Sequence, residues 1–175
     1  MSAPAVQDRR RPLRIAFDID GTLTPLGRGQ FPCSPLPFPL RLVLREPLRD
    51  GAVALMRELQ AEGHEIWVYT SSLRSPSYLR IWLRCAGIRL AGAINGAMHA
   101  QAVRGRAAAP SKFPPAFGID WLVDDSEGVA LEGQRHGFRV VRVDAGDADW
   151  AVKVMTACRG RDDVGPVPTM RSEPG

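Results

Sequence analysis

Lysine is nearly missing from this chain: Lys112 and Lys153 stand against 21 arginines in 175 residues. Cysteine is sparse too. Cys33, Cys85 and Cys158 are odd in number and widely spaced, which excludes a disulfide framework and a zinc-finger spacing and reads as reduced thiols in a cytoplasmic protein. No apolar run approaches the roughly eighteen residues of a membrane span. Met1 to Pro12 carries charge but no apolar core, so it does not read as a secretory signal. No Gly-x-Gly-x-x-Gly and no P-loop lysine motif occurs, which argues against a dinucleotide fingerprint and a Walker-type nucleotide site. His64, His99 and His136 share no ligand spacing. His99 reads as a loop-surface or structural histidine, and His136 suits a helix C-terminus.

The remaining composition is that of an ordinary globular domain, 45% apolar with net charge +4. We read the positive balance as a general preference for arginine. Residues 1–11, with Arg9, Arg10 and Arg11 in a row, read as a flexible basic tail; a short run without aromatic interleaving is a weak signal for nucleic acid. Residues 160–175 are polar and proline-bearing and read as a disordered tail.

Between the tails, strand and helix signals alternate. Leu13 to Phe17 reads as the first strand, whose apolar run Ile15-Ala16-Phe17 ends in Asp18-Ile19-Asp20-Gly21. Gly21 to Pro47 holds six prolines, a density that forbids a helix, and reads as an irregular flap with a short edge strand near Arg41 to Arg45. Ala52, Leu55, Met56 and Leu59 have the spacing of a buried helical stripe, stopped by Gly63. Glu65 to Tyr69 is a second strand, ending in Thr70-Ser71-Ser72. Ser75-Pro76 opens a second helix as N-cap and first-turn proline, with Leu79, Trp82, Leu83 and Ala86 on its inner face. Ala93 to Asn95 reads as a short third strand and Ala100 to Pro110 as loop. Ile119 to Val123 is a fourth strand ending in Asp124-Asp125, followed by a helix from Ser126 to His136. A fifth strand spans Phe138 to Val143, and a last helix Asp147 to Arg159. The alternation predicts an α/β fold over residues 12–159: one Rossmann-like domain, a central parallel sheet with helices on both faces and a β-flap after strand 1.

Three strands thus end in reactive residues: Asp18/Asp20, Thr70/Ser71 and Asp124/Asp125. In a parallel sheet all these tips lie on one edge, with Lys112 on a neighbouring loop. Four carboxylates repel each other unless a cation intervenes, and a hard divalent ion with oxygen ligands suits them. The lysine and the hydroxyls are left to hold an anion, so a phosphate group meets both demands. On the first acid pair alone, a solvated Asp-x-Asp-Gly turn is an equal reading.

Asp18-Ile19-Asp20-Gly21-Thr22, Thr70 after Trp67-Val68-Tyr69, Lys112 and Asp124-Asp125 together resemble the haloacid dehalogenase-like superfamily, specifically its phosphatases. The pieces come in that superfamily's order, over about Leu13 to Arg159. The resemblance implies a magnesium-dependent phosphomonoester hydrolase with Asp18 as nucleophile through a phosphoaspartyl intermediate. It makes Asp20 the acid and base, with a carboxyl shielded by burial or by the flap. Thr70 binds a phosphoryl oxygen, Lys112 neutralises charge, and Gly21, Thr22 and Ser71 contact the substrate. Magnesium is assigned to the Asp18 carboxylate, the Asp20 carbonyl and the Asp124 carboxylate, with Asp125 behind them orienting water or the lysine. Lys112 has separate support, since an ammonium and a planar guanidinium do not exchange freely at a tight site.

The chain also departs from that pattern. The stretch from Lys112 to Asp124 is short, with a helix reduced to a turn at Phe113 to Phe117. Neither usual insertion point holds a sizeable cap domain, so the resemblance is to the capless type, whose open sites admit large substrates or are closed by a second subunit; the expected partner is a phosphorylated substrate, small molecule or macromolecule. Arg28, Arg41, Arg45 and Arg74 suit the rim of such a site as a group. A phosphotransferase, and a non-catalytic phosphate-binding scaffold on the same fold, are the competing functions.

Overall fold

Short strands buried at consecutive positions build a sheet covered on both faces, whose register brings the acids abreast. The computed structural model of the chain describes residues 11–35, 38, 44 and 46–160. The tails, Arg11 and Gly160 apart, lie outside these residues, as do Arg41, Arg45 and the edge strand expected around them. In chain order the elements are β1 (Arg14–Phe17), β2 (Cys33–Ser34), β3 (Leu48–Arg49), α1 (Ala52–Ala61), β4 (Glu65–Tyr69), α2 (Pro76–Cys85), β5 (Gly92–Ile94), α3 (Gly96–Ala102), a 3-10 turn (Pro114–Phe117), β6 (Trp121–Asp124), α4 (Glu127–His136), β7 (Val140–Arg142) and α5 (Trp150–Arg159). The main sheet is parallel, in the order β5-β4-β1-β6-β7. Adjacent parallel strands need a crossover connection, and the helices supply it.

Period two sorts the strand side chains between two layers. Ile15, Phe17, Ile66, Val68 and Val123 join the larger core under α1, α2 and α5. Ala16, Tyr69 and Leu122 join a smaller core with Ile119, Val129 and Phe138. The expected helices on both faces are present. Ser75 and Ser126 cap α2 and α4 by accepting from Tyr78 N–H and Val129 N–H, and Pro76 starts α2, as their sequence signals predict.

Two regions differ from expectation. Residues 96–102 form α3 rather than entering the loop at Ala100; Asn95 caps this helix, but it buries none of its own residues, so it left no apolar stripe to read. The flap is not wholly irregular. Cys33–Ser34 pairs antiparallel with Leu48–Arg49, a ladder too short to show alternation. The three cysteines are free. Among the described residues no helix is long and apolar enough to cross a membrane.

Candidate active site

Register sets the geometry. Phe17 lies beside Val68 on one side and Val123 on the other. One residue on, Asp18 N–H donates to the Val123 carbonyl at 2.9 Å, which continues the ladder and sets Asp18 next to Asp124. Both acids share the parity of Ala16 and Leu122, so both lean toward the smaller layer. From that side comes Lys112, whose Nζ lies 2.7 Å from Asp18 Oδ1 and 2.6 Å from Asp124 Oδ2. All three are buried.

Burial dominates the electrostatics here. It pushes the Asp18 carboxyl up to about 6, with Lys112 opposing and Asp124 reinforcing the shift. Burial pulls the Lys112 amine down, but the two carboxylates outweigh it and hold the amine above its ordinary value. Asp125 is also raised, by burial and by Asp124, against a hydrogen bond from Thr22.

The turn after Asp18 needs its glycine. Gly21 has φ +88°, and a Cβ there would lie 2.3 Å from Asp125 Oδ2. Thr22 is fully buried, its hydroxyl 3.2 Å from Asp125 Oδ1. Thr70 follows β4, its N–H donating to the Ile94 carbonyl, and its hydroxyl donates to Ser72 Oγ at 3.1 Å. A cavity of about 320 Å³ opens between these tips and is lined by Asp18, Asp20, Asp124 and Asp125 together with Thr70, Ser71 and Lys112. Gly21 and Thr22 brace the turn rather than face this cavity.

Asp18, Asp124 and Asp125 each offer an oxygen, all within 4.8 Å of one another. Three converging carboxylates, two of them raised chiefly by burial and further by Asp124, match the hard oxygen donor set that a magnesium ion prefers. Asp125, expected behind the ligands, has a carboxylate oxygen in the same cluster as those of Asp18 and Asp124.

Asp20 occupies a different environment from the shielded one expected. Its side chain is 36% exposed, and both oxygens are taken by Arg74, with Nη1 at 2.7 Å and Nη2 at 2.8 Å. Arg74 Nε reaches Glu46 of the flap at 3.1 Å, and Tyr78 donates to the same Glu46 oxygen. The bonds to Asp20 and Glu46 hold the guanidinium well above its ordinary value despite burial. Of the four arginines expected at the rim, Arg74 reaches an acid of the site, while Arg28 is exposed on the flap. Sequence reasoning missed Glu46 and Ser72, and neither has a local signal that would mark it.

The sequence matches no protein-family model and no curated protein. Among solved structures, the chain is similar to the HAD domain of effector protein Lem4 from Legionella pneumophila, at 15% identity and a TM-score of 0.50, covering 86% of this chain and 96% of that one. It is also similar to a chain of the Pnkp1/Rnl/Hen1 complex, at 15% identity and a TM-score of 0.50 over 80% of this chain. This chain spans about half of that one, 48% of its length. At such identity the likeness shows the fold, the Rossmann-like α/β sheet of HAD domains.

Proposed function

We propose that this chain is a magnesium-dependent phosphomonoester hydrolase of the HAD type, without a sizeable cap, working through a phosphoaspartyl intermediate. The observation that carries the reading is the Lys112 amine between Asp18 and Asp124, at 2.7 and 2.6 Å, on the rim that also presents Thr70. An ammonium between two buried carboxylates aligns Asp18 and opposes the burial that favours its protonated form, as a nucleophile requires.

In the first step an Asp18 carboxylate oxygen forms a bond to phosphorus as the ester oxygen leaves, and Asp20 gives that oxygen a proton. In the second, a water whose proton passes to Asp20 attacks phosphorus, the Asp18–phosphorus bond breaks, and phosphate departs. Thr70 and the Ser71 backbone hold phosphoryl oxygens, and Lys112 offsets their charge. Arg74 orients Asp20, and one carboxyl oxygen exchanges the guanidinium for the leaving group. Asp18, Asp124 and the Asp20 carbonyl, with Asp125 beside them, would hold magnesium, which supplies charge stabilisation at the phosphoryl group. The substrate is a phosphomonoester, small or macromolecular.

The test is release of phosphate from a generic aryl phosphate by the full chain, with and without magnesium. Metal-dependent turnover supports the hydrolase. No turnover by metal-loaded protein across a broad phosphate panel favours the scaffold reading, for which the double engagement of Asp20 by Arg74 is the one favourable observation.

A further inference from the structure

Lys112 sits on no regular element. It lies in the loop between α3 and the 3-10 turn, yet its amine must stay within hydrogen-bond reach of two acids at once. A lysine side chain has about four rotatable bonds and a large entropy to lose, so its backbone needs to be held firmly.

The tethers are on either side of it. Phe113 N–H donates to the Tyr69 hydroxyl at 2.8 Å. That hydroxyl lies 2.6 Å from His99 Nδ1. The Pro110 carbonyl hydrogen-bonds the same imidazole. The direction between Tyr69 and His99 is set by the imidazole tautomer: with the ring neutral and its hydrogen on the nitrogen that serves the Pro110 carbonyl, Nδ1 accepts from the Tyr69 hydroxyl, whose oxygen accepts from Phe113 N–H. A Tyr–His pair therefore grips the main chain two residues before Lys112 and one residue after it. Burial lowers the His99 ring below its ordinary value, in keeping with a neutral donor–acceptor ring. Ser111, the residue between, donates N–H and hydroxyl to Glu132 of α4 at 2.9 and 2.6 Å. Tyr69 is fully buried and packs edge-on against Phe117 at 5.6 Å. It is also the last residue of β4, immediately before Thr70, so one strand tip positions the lysine loop and the phosphate-binding hydroxyl together.

We propose that Tyr69 and His99 are positioning residues for Lys112, a hydrogen-bonded clamp on Pro110 and Phe113 that holds the amine between Asp18 and Asp124. The clamp deepens the hydrolase reading and rests on it for its catalytic consequence, although not for its geometry.

Two readouts keep the two ideas apart. The first is turnover of an aryl phosphate by Tyr69→Phe, which removes one oxygen, and by His99→Leu and His99→Asn. A displacement of the amine by about an ångström should lower kcat about 10- to 100-fold with KM unchanged. His99→Asn keeps an acceptor where Nδ1 stands and should recover part of the loss seen in His99→Leu. The second readout needs no activity: amide hydrogen exchange at Phe113, and the rate at which an acylating reagent modifies Lys112, both rise in Tyr69→Phe. A purely structural role would lower the melting temperature but leave kcat of the folded enzyme and the Lys112 acylation rate as they were, and that result overturns the clamp. If the unmodified chain hydrolyses nothing, the hydrolase reading fails, and the exchange and acylation rates alone decide: faster in Tyr69→Phe, the clamp stands; unchanged, it falls.

Discussion

The site has two halves built on one plan and differing in depth. In the inner half the Lys112 cation bridges Asp18 and Asp124; in the outer half the Arg74 cation bridges Asp20 and Glu46. The inner side chains are 4%, 10% and 1% exposed, the outer ones 26%, 36% and 28%. Burial makes the inner triad rigid and unforgiving, because a lone charge there has no water to fall back on. Water screens the outer triad, so its bonds are weak enough to be exchanged. A nucleophile benefits from the first setting and a proton carrier from the second. The outer half also leaves the buried Glu46 Oε2 atom without a hydrogen-bond partner among the described residues.

The comparison can be broken most sharply at Asp18. Asp18→Asn should abolish aryl-phosphate turnover while circular dichroism stays that of the folded chain; residual activity of the purified variant would remove the nucleophile assignment. Lys112→Met should come next. Two buried carboxylates would face each other uncompensated, and urea unfolding should show a loss of about 3–5 kcal/mol, with added magnesium recovering part of it.

Acidity offers a gentler probe. The Asp18 carboxyl is raised from 3.8 to about 6 in the folded chain. Between those values the native state holds more protons than the unfolded one. The contribution of Asp18 to stability is therefore complete below 3.8 and is lost as pH rises through about 6. Magnesium held by Asp18, as proposed, would need the carboxylate and compete with that proton. Calorimetric titration should accordingly show weaker magnesium binding near pH 5 than near pH 7, with proton release on binding; affinity independent of pH would count against Asp18 as a ligand. The smallest stability effect belongs to Arg74→Ala, about 1 kcal/mol or less in urea unfolding, because its partners are partly solvated. A loss as large as that of Lys112→Met would erase the distinction between the halves.

Much of this was legible along the chain. The β1 acids, Thr70 and the Asp124 pair stood at the ends of apolar runs, and the caps Ser75 and Ser126 were visible as local signals. What was not legible shares a cause. The β2–β3 ladder pairs two residues with two, and α3 buries none of its own, so neither carries a period. Arg74 was one of four arginines expected at a rim, with nothing local to connect it with Asp20, 54 residues away. His99 read as a structural or surface ring, since its partner Tyr69 is 30 residues distant on another element.

By itself the sequence determined which chemical groups cap the strands and that those strands run parallel. Alternation, turn residues and strand ends are properties of neighbours along the backbone. The tertiary structure alone decided which cation faces which acid, how deep each pair lies and what steadies the lysine loop. Those outcomes depend on side chains from separate elements meeting in space, and no spacing in a linear chain encodes them.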